Sequence, residues 1–332
     1  MNDELVVEIA DDVGLYAKAW SDAMKHFYWY RGSPVFDFNK DEELDEIRAD
    51  FGAPSHLFLI ARSKGQDKIV GVLGLHYQDI VARIRRWEPA IIPQFSNAGV
   101  EEALLGRAME YLSNMGIKRT SILIKHPAES PELVENHFSL YTNAGFERDR
   151  PDSIDMIIPL DKIDQNLEPM KDIHLETGEN YTYEDLASIV VKSFTSSSEE
   201  REIHGFDKTV TEYIQATAML QRMAEGYYGY SCDEFRKVAV VDGVPVGFLG
   251  AFISKSKYKP LTGILGPMAV LPNYRRQGIA SFLVRAVLHT LKEYGCEYAA
   301  VGTPAANTTA IKMYEKGGFG LACRIINLSK EL

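Results

Sequence analysis

The stretch Leu271-Pro-Asn-Tyr-Arg-Arg-Gln-Gly-Ile-Ala-Ser281 decides how this chain is read. Upstream, Gly263-Ile-Leu-Gly-Pro-Met-Ala-Val270 reads as a strand. Downstream, Ala280, Leu283, Val284, Val287, Leu288 and Leu291 recur at the spacing of a helix with one buried stripe, and Gly295 marks its end. Strand, basic glycine-containing turn and helix therefore follow in order. The first N–H groups of such a helix have no acceptor within it, and its dipole adds about half a positive charge there. Arg275 and Arg276 add more, while Gly278 and Ala280 leave the backbone approachable. The chemistry this predicts is a pyrophosphate held by main-chain N–H groups.

The chain has 332 residues, which favours two domains over one. Hydrophobic content of 45% and aromatic content of 11% suit filled cores. A net charge of −11 argues against a nucleic-acid-binding surface while leaving room for a local basic pocket. Cys232, Cys296 and Cys323 have no paired spacing, so a reduced, cytoplasmic protein without disulfides or a thiolate metal site is expected. No apolar run reaches the roughly 18 residues of a membrane span. The eight histidines show no metal-binding spacing, and neither a nucleotide-binding Gly-Lys-Ser/Thr loop nor a Gly-x-Ser-x-Gly elbow is present.

The halves repeat. Val70-Gly-Val-Leu-Gly74 parallels Val246-Gly-Phe-Leu-Gly250, and residues 93–122 align without a gap to 272–301. Pro93, Gly99, Leu104, Leu112 and Gly116 match Pro272, Gly278, Leu283, Leu291 and Gly295. Tyr141-Thr-Asn-Ala-Gly-Phe146 answers Tyr314-Glu-Lys-Gly-Gly-Phe319. Matched glycines, tyrosines and Gly-Phe pairs point to a duplicated domain. The expected boundaries are 1–160, a charged proline-containing linker at 161–172, and 173–332. In the first half, helices are expected over 11–31, 41–50 and 101–112, with strands at 5–9, 57–62, 69–77, 120–125 and 154–160. In the second, helices at 183–195 and 209–224 flank an acidic loop at 196–202, and Asp242-Gly243 turns a hairpin between strands at 237–241 and 245–254.

Asn307-Thr-Thr-Ala-Ile-Lys-Met-Tyr-Glu-Lys-Gly-Gly-Phe319 follows a strand at 298–301 and reads as a helix over 308–315. Ala310, Met313 and Tyr314 share one face of it. A tyrosine hydroxyl there has a reference pKa of about 10, close enough to a thiol to serve as its proton donor, although a buried core tyrosine fits the same pattern.

Together the two segments resemble the GCN5-related N-acetyltransferase (GNAT) superfamily, in a tandem arrangement. Arg275-Arg-Gln-Gly-Ile-Ala280 matches its Arg/Gln-x-x-Gly-x-Gly/Ala turn, and Asn307, Ala310, Tyr314 and Gly318-Phe319 match its later motif. The resemblance implies an α/β (α+β) fold of two tandem acyl-CoA N-acyltransferase domains, each a mixed, central twisted sheet flanked by helices. It implies acetyl-CoA as co-substrate and an amine acceptor, a small molecule or a peptide, that attacks the thioester directly, with no metal. Residues Arg275, Arg276, Gln277, Gly278, Ile279, Ala280 and Ser281 would hold the pyrophosphate. Met268, Ala269 and Val270 would pair with the pantetheine arm, Asn307 would bond it further along, and Tyr314 would protonate the thiolate.

The glutamate that many members carry in the strand before the turn is missing, since residues 262–270 hold no acid. Glu234, with Asp233 beside it, is the candidate base, acting directly or through water. Tyr227, Tyr228, Tyr230 and the acidic segment Glu199–Glu202 are candidates to line the acceptor pocket. The first half departs from the motif: Ser96 and Asn97 replace the arginines and Glu101 replaces Ala280. A carboxylate beside a diphosphate costs about 1–4 kcal/mol, so residues 1–160 are expected to be non-catalytic. A non-catalytic acyl-CoA sensor and a tandem-domain aminoacyl transferase remain as alternatives.

Overall fold

A computed structural model of the protein describes residues 5–25, 40–65, 68–96, 98–163, 168–256 and 260–332. The first half runs β1 (Leu5–Ile9), α1 (Val13–Ala23), α2 (Lys40–Asp50), β2 (His56–Ser63), β3 (Lys68–Gln78), β4 (Val81–Ile84), β5 (Ala90–Ile91), α3 (Val100–Asn114), β6 (Arg119–Pro127), α4 (Pro131–Asn143) and β7 (Glu147–Arg148). Residues 26–31 of the long helix expected near the N-terminus, with Phe27, Tyr28, Trp29 and Tyr30, lie outside the described residues, as does Asn97. The second half runs β8 (Ser153–Pro159), β9 (His174–Thr177), α5 (Tyr183–Phe194), α6 (Ser198–His204), α7 (Lys208–Thr211), α8 (Tyr213–Ala224), β10 (Gly229–Tyr230), β11 (Lys237–Val241), β12 (Val244–Ser254), β13 (Thr262–Val270), α9 (Ile279–Glu293), β14 (Tyr298–Pro304), α10 (Thr308–Lys316) and β15 (Gly320–Glu331).

Local chemistry explains several of these elements. Asp242 and Gly243 both have positive φ, 49° and 76°, the backbone a two-residue β11–β12 hairpin requires. Thr182 and Asp185 cap α5 reciprocally, each satisfying one N–H of its first turn. Residues 196–202, expected as a loop, instead enter α6, because the Ser197 hydroxyl accepts the Glu200 N–H and starts a helical turn. The helix expected over 209–224 breaks at Glu212, whose extended backbone (φ −112°, ψ 125°) separates α7 from α8.

The chain forms two units, residues 1–152 with 323–332, and residues 153–322. Their ends differ from the expected halves because two strands change places. β8 pairs antiparallel with β14 in the second unit, Ile157 opposite Ala300. The C-terminal strand, not expected from sequence patterning, pairs with β6 in the first unit from Cys323↔Pro127 to Glu331↔Arg119. Local patterning specifies that a segment is a strand but not which edge it joins, so this exchange is invisible in the sequence.

In the second unit α9 packs one face of β11–β13 through Leu283, Val284, Val287 and Leu291, all buried. α5 and α8 cover the other face, where Leu186, Val190 and Leu220 meet Val238, Phe248 and Ala269. Gly263 sets how closely α9 approaches, since a Cβ there would fall 2.3 Å from Leu291 Cδ1. In the first unit α3 repeats the role of α9 over β2 and β3, with Leu104, Ala108 and Leu112 buried.

A charged knot lies inside the first unit. Arg85 ion-pairs with Asp50 at 3.1 Å, Glu43 at 3.3 Å and Glu88 at 3.7 Å. Burial pushes the Glu43 carboxyl up to about 7, against the opposing pull of Arg85. A carboxyl raised on folding stabilises the fold fully below its unfolded pKa, and that contribution is lost as pH rises through about 7. Glu43→Gln, which keeps the neutral form at every pH, should therefore melt above the wild type at pH 8. At pH 5 the two should melt together, as read by thermal denaturation at both pH values.

Candidate functional site

β13 and β14 run parallel and pair from Thr262↔Tyr298 to Leu265↔Val301. Beyond that point they part. Met268, Ala269 and Val270 pair with Leu249, Phe248 and Gly247 of β12 on one edge and have no strand partner on the β14 side. Gly302, Thr303 and Pro304 pair with β8. A wedge therefore opens between Gly266–Val270 and Gly302–Pro304, with main-chain polar groups along one wall. Two glycines stand at its apex. Gly266 has φ 145°, and a Cβ there would meet nothing within 4 Å. Gly302 is exposed.

The wedge leads to the start of α9. Gly278 is its N-cap, with left-handed backbone (φ 85°) and no capping side chain. Phe282 N–H is the first to bond back, to Gly278 O at 3.0 Å, so the N–H groups of Ile279, Ala280 and Ser281 have no acceptor among the described residues. Arg276, also left-handed (φ 65°), is exposed beside them. Gln277 is exposed and donates to Asn273 O at 3.3 Å. Met170, within the expected linker, lies 3.3 Å from where a Gly278 Cβ would be. Residues 164–167 of that linker lie outside the described residues.

Arg275 works inward. Its guanidinium donates to Val270 O at 3.1 Å, Ser193 O at 2.8 Å and Glu200 Oε1 at 2.7 Å. It fastens the end of β13 to α5 and α6 and is not spread toward the helix start. Glu200 continues the chain of contacts, with Oε2 3.7 Å from His204 Nε2. That ring nitrogen is 3.4 Å from Asn307 Nδ2. Burial holds the His204 pKa below its ordinary value, against the opposing pull of Glu200 and Asp207. Asn307 Oδ1 takes the Ala310 N–H at 3.1 Å, so Asn307 is the N-cap of α10 and both ends of its side chain are occupied. The sequence expected only the pantetheine contact there. Glu200 was legible only as part of an acidic segment, and His204, four residues on along α6, carried no expectation.

Tyr314, on α10, is buried against Phe319, ring centroids 5.4 Å apart. Burial pushes its phenol well above the ordinary value, so it stays protonated throughout the neutral range. Glu234 is placed elsewhere. It is exposed, held below the usual carboxylate range first by a hydrogen bond from the Cys232 thiol. Cys232 Sγ is 3.6 Å from the hydroxyl of Tyr294, the C-cap of α9, and the Tyr230 ring lies tilted against that of Tyr294, centroids 6.2 Å apart. These groups gather at the C-terminal end of α9, about 22 Å of helix from the turn. Asp233 is ion-paired with Arg236. Tyr227 and Tyr230 are exposed, and Tyr228 packs 5.8 Å from Phe252.

The first unit presents the same positions in another state. β4 and β6 pair in parallel only from Val81↔Arg119 to Arg83↔Ser121. Continued upstream from the aligned block, a register that the pairing of Ala90 and Ile91 with β3 and of Ala269 and Val270 with β12 shares, Gly266 corresponds to Trp87, which is buried and left-handed (φ 70°). Glu88 follows it, fully buried, and takes the Tyr16 hydroxyl at 3.0 Å and the Gly74 N–H. The Tyr141 hydroxyl, counterpart of Tyr314, donates to the Glu88 carbonyl. At the start of α3 the N-cap Gly99 is left-handed like Gly278, but the Glu101 carboxylate accepts its own backbone N–H.

Comparison with known proteins places the chain among acetyltransferases by similarity. Residues 199–319 match the Acetyltransferase (GNAT) family. The chain is 29% identical over 121 residues to N-alpha-acetyltransferase 30 of Schizosaccharomyces pombe, a match covering 35% of this chain and 79% of that protein. It is 31% identical over 94 residues to aminoglycoside N(6')-acetyltransferase type 1 of Salmonella typhimurium, covering 27% of this chain and 64% of that enzyme. A tandem GNAT protein from the clavulanic acid biosynthesis pathway superposes on 99% of this chain and 98% of its own, at 18% identity and a TM-score of 0.57. No cluster of three or more metal-binding side chains occurs among the described residues. No described helix is long and apolar enough to cross a membrane.

Asn307→Ala removes the cap of α10 and its contact to His204. The expected loss is about 1 kcal/mol, a fall of a few degrees in melting temperature, read by differential scanning calorimetry.

Proposed function

We propose, from the premise that this chain belongs to the GNAT superfamily of acyltransferases, that its second unit transfers an acetyl group from acetyl-CoA to a primary amine. One observation carries the reading. The wedge between β13 and β14 is open at its glycine apex and runs to an uncapped helix start in the second unit. In the first unit Trp87, Glu88 and Glu101 occupy the matching points.

The edge of Met268, Ala269 and Val270 that β14 leaves unpaired, apart from the Val270 carbonyl taken by Arg275, suits the amide groups of a pantetheine arm, added as a further strand-like ladder. The N–H groups of Ile279, Ala280 and Ser281, with the exposed Arg276, suit the diphosphate. Arg275 keeps the two aligned by tying the end of β13 to α5 and α6. The thioester then falls at the apex, where Gly266 leaves room for it, since a Cβ there would meet nothing within 4 Å. The amine attacks the carbonyl carbon, the C–S bond breaks, and the electron pair leaves on sulfur. Tyr314 meets that charge. Because burial lifts its pKa above that of a thiol, full proton transfer is uphill, and the hydrogen bond itself supplies the stabilisation. Bonds to a charged acceptor contribute about 1.5–3 kcal/mol, or roughly 10- to 100-fold in rate.

The two relatives' names both specify acetyl transfer to nitrogen, an N-alpha position in one and N(6') of an aminoglycoside in the other. A primary amine is the acceptor chemistry they share. The first unit is proposed to be non-catalytic, since its tyrosine hydroxyl is spent on a backbone carbonyl.

Thiol release from acetyl-CoA with a panel of peptide N-termini and aminoglycosides, beside calorimetric binding of CoA, tests this. CoA binding with no turnover on any amine would favour a sensor instead. Arg276→Glu should weaken CoA binding at least tenfold, and unchanged affinity would remove the diphosphate assignment. Tyr314→Phe should lower kcat by roughly 10- to 100-fold with little change in KM, and Tyr141→Phe should leave kcat within about twofold. The opposite pattern would assign catalysis to the first unit.

A further inference from the structure

The wedge has two sides, and the reaction proposed above uses only one. Ile154, Met156 and Ile158 of β8 and Ala299 and Val301 of β14 pack in the same cluster as α9 and Tyr314. Side chains alternate along a strand, so Asp155, Ile157, Ala300 and Gly302 face the other way. Asp155 and Gly302 are directly opposed in the β8–β14 ladder. Gly302 is the first residue of β14 past the last β13–β14 pair, and so forms the apex of the wedge. Asp155 Oδ1 leans over it, 3.2 Å from where a Gly302 Cβ would stand. A half-buried carboxylate thus borders the apex on the face opposite the tyrosine.

We infer that Asp155 is the acceptor-side carboxylate, receiving the ammonium group of the substrate and taking its proton; this rests on the acetyl-transfer reading. The thioester at the apex is then reached from two faces, with a proton acceptor on one and a proton donor on the other. The atoms balance simply. Of the three protons of the ammonium, Asp155 takes one and passes it to solvent. The freed lone pair forms the N–C bond and the C–S pair leaves on sulfur. A second proton, lost from nitrogen to solvent, is matched by one gained at sulfur beside Tyr314. The third stays on the amide. No oxidant, metal or further co-reactant is needed. Glu234 and Asp233, the candidates from the sequence, gather at the other end of α9, away from the apex.

Hydroxylamine supplies the decisive control, since it is uncharged at neutral pH and needs neither an ammonium site nor deprotonation before attack. With the best alkylamine of the panel, Asp155→Asn should lower kcat/KM by at least roughly 100-fold. Its hydroxylamine turnover and its CoA affinity by calorimetry should stay within about threefold. Asp155→Glu should recover part of the alkylamine activity. Gly302→Ala, which pushes a methyl against Oδ1, should raise the KM for the alkylamine more than it lowers kcat. Equal loss toward both nucleophiles, or no loss toward either, would overturn the role of Asp155 while leaving the acetyl-transfer reading standing. Failure of the wild type to bind CoA would overturn both.

Discussion

Two parallel strands that stop pairing create the central constraint in the second unit. Past Leu265 and Val301 the ladder ends, yet both strands continue, so a length of peptide backbone is left without its usual partner. Buried backbone groups rarely stay in that state, because an unmet N–H or C=O costs about as much as a lost hydrogen bond. The fold answers part of the demand itself. β8 takes the outer edge of β14, and Arg275 takes the Val270 carbonyl. What is left over is a row of main-chain groups ending at a helix start whose first N–H groups have no acceptor among the described residues.

The first unit shows how the same scaffold behaves once the deficit is removed. Trp87 occupies the apex in a left-handed backbone conformation that costs roughly 1–3 kcal/mol, and it persists because burial of the indole offsets it. Glu88 draws in Tyr16, Gly74 and, through its carbonyl, Tyr141. Glu101 turns its own carboxylate onto the helix start. Each of these polar groups is met from within the unit. Duplication followed by such filling leaves a unit whose geometry still matches its sibling, down to the left-handed N-cap glycine and the tyrosine–phenylalanine contact.

Much of this was readable from the residues. The 3.6-residue period of α9, the glycine at its start and the matched landmarks of the halves are local signals, and local signals survive without coordinates. The departure of Ser96 and Glu101 from the motif was also local, although repulsion was expected where the structure has self-capping. What could not be read was non-local. The partners of β8 and β15 depend on which edges are open. Arg275 faces inward because Glu200 and two carbonyls wait there, and nothing in the turn's own sequence says so. Asp155 lies far in sequence from the turn, and only its pairing with Gly302 brings it to the apex.

The exchange of terminal strands has a temporal meaning. During synthesis, residues 1–152 leave the ribosome long before Cys323–Leu332, which complete their sheet. The edge of β6 must therefore wait, open, while some 170 residues of the second unit are made and folded. An open edge is a hazard for misassembly, and the chain shortens its exposure only by finishing. The two units are thus coupled in the order of their birth, and cutting the gene at the apparent linker would yield halves that each lack a strand.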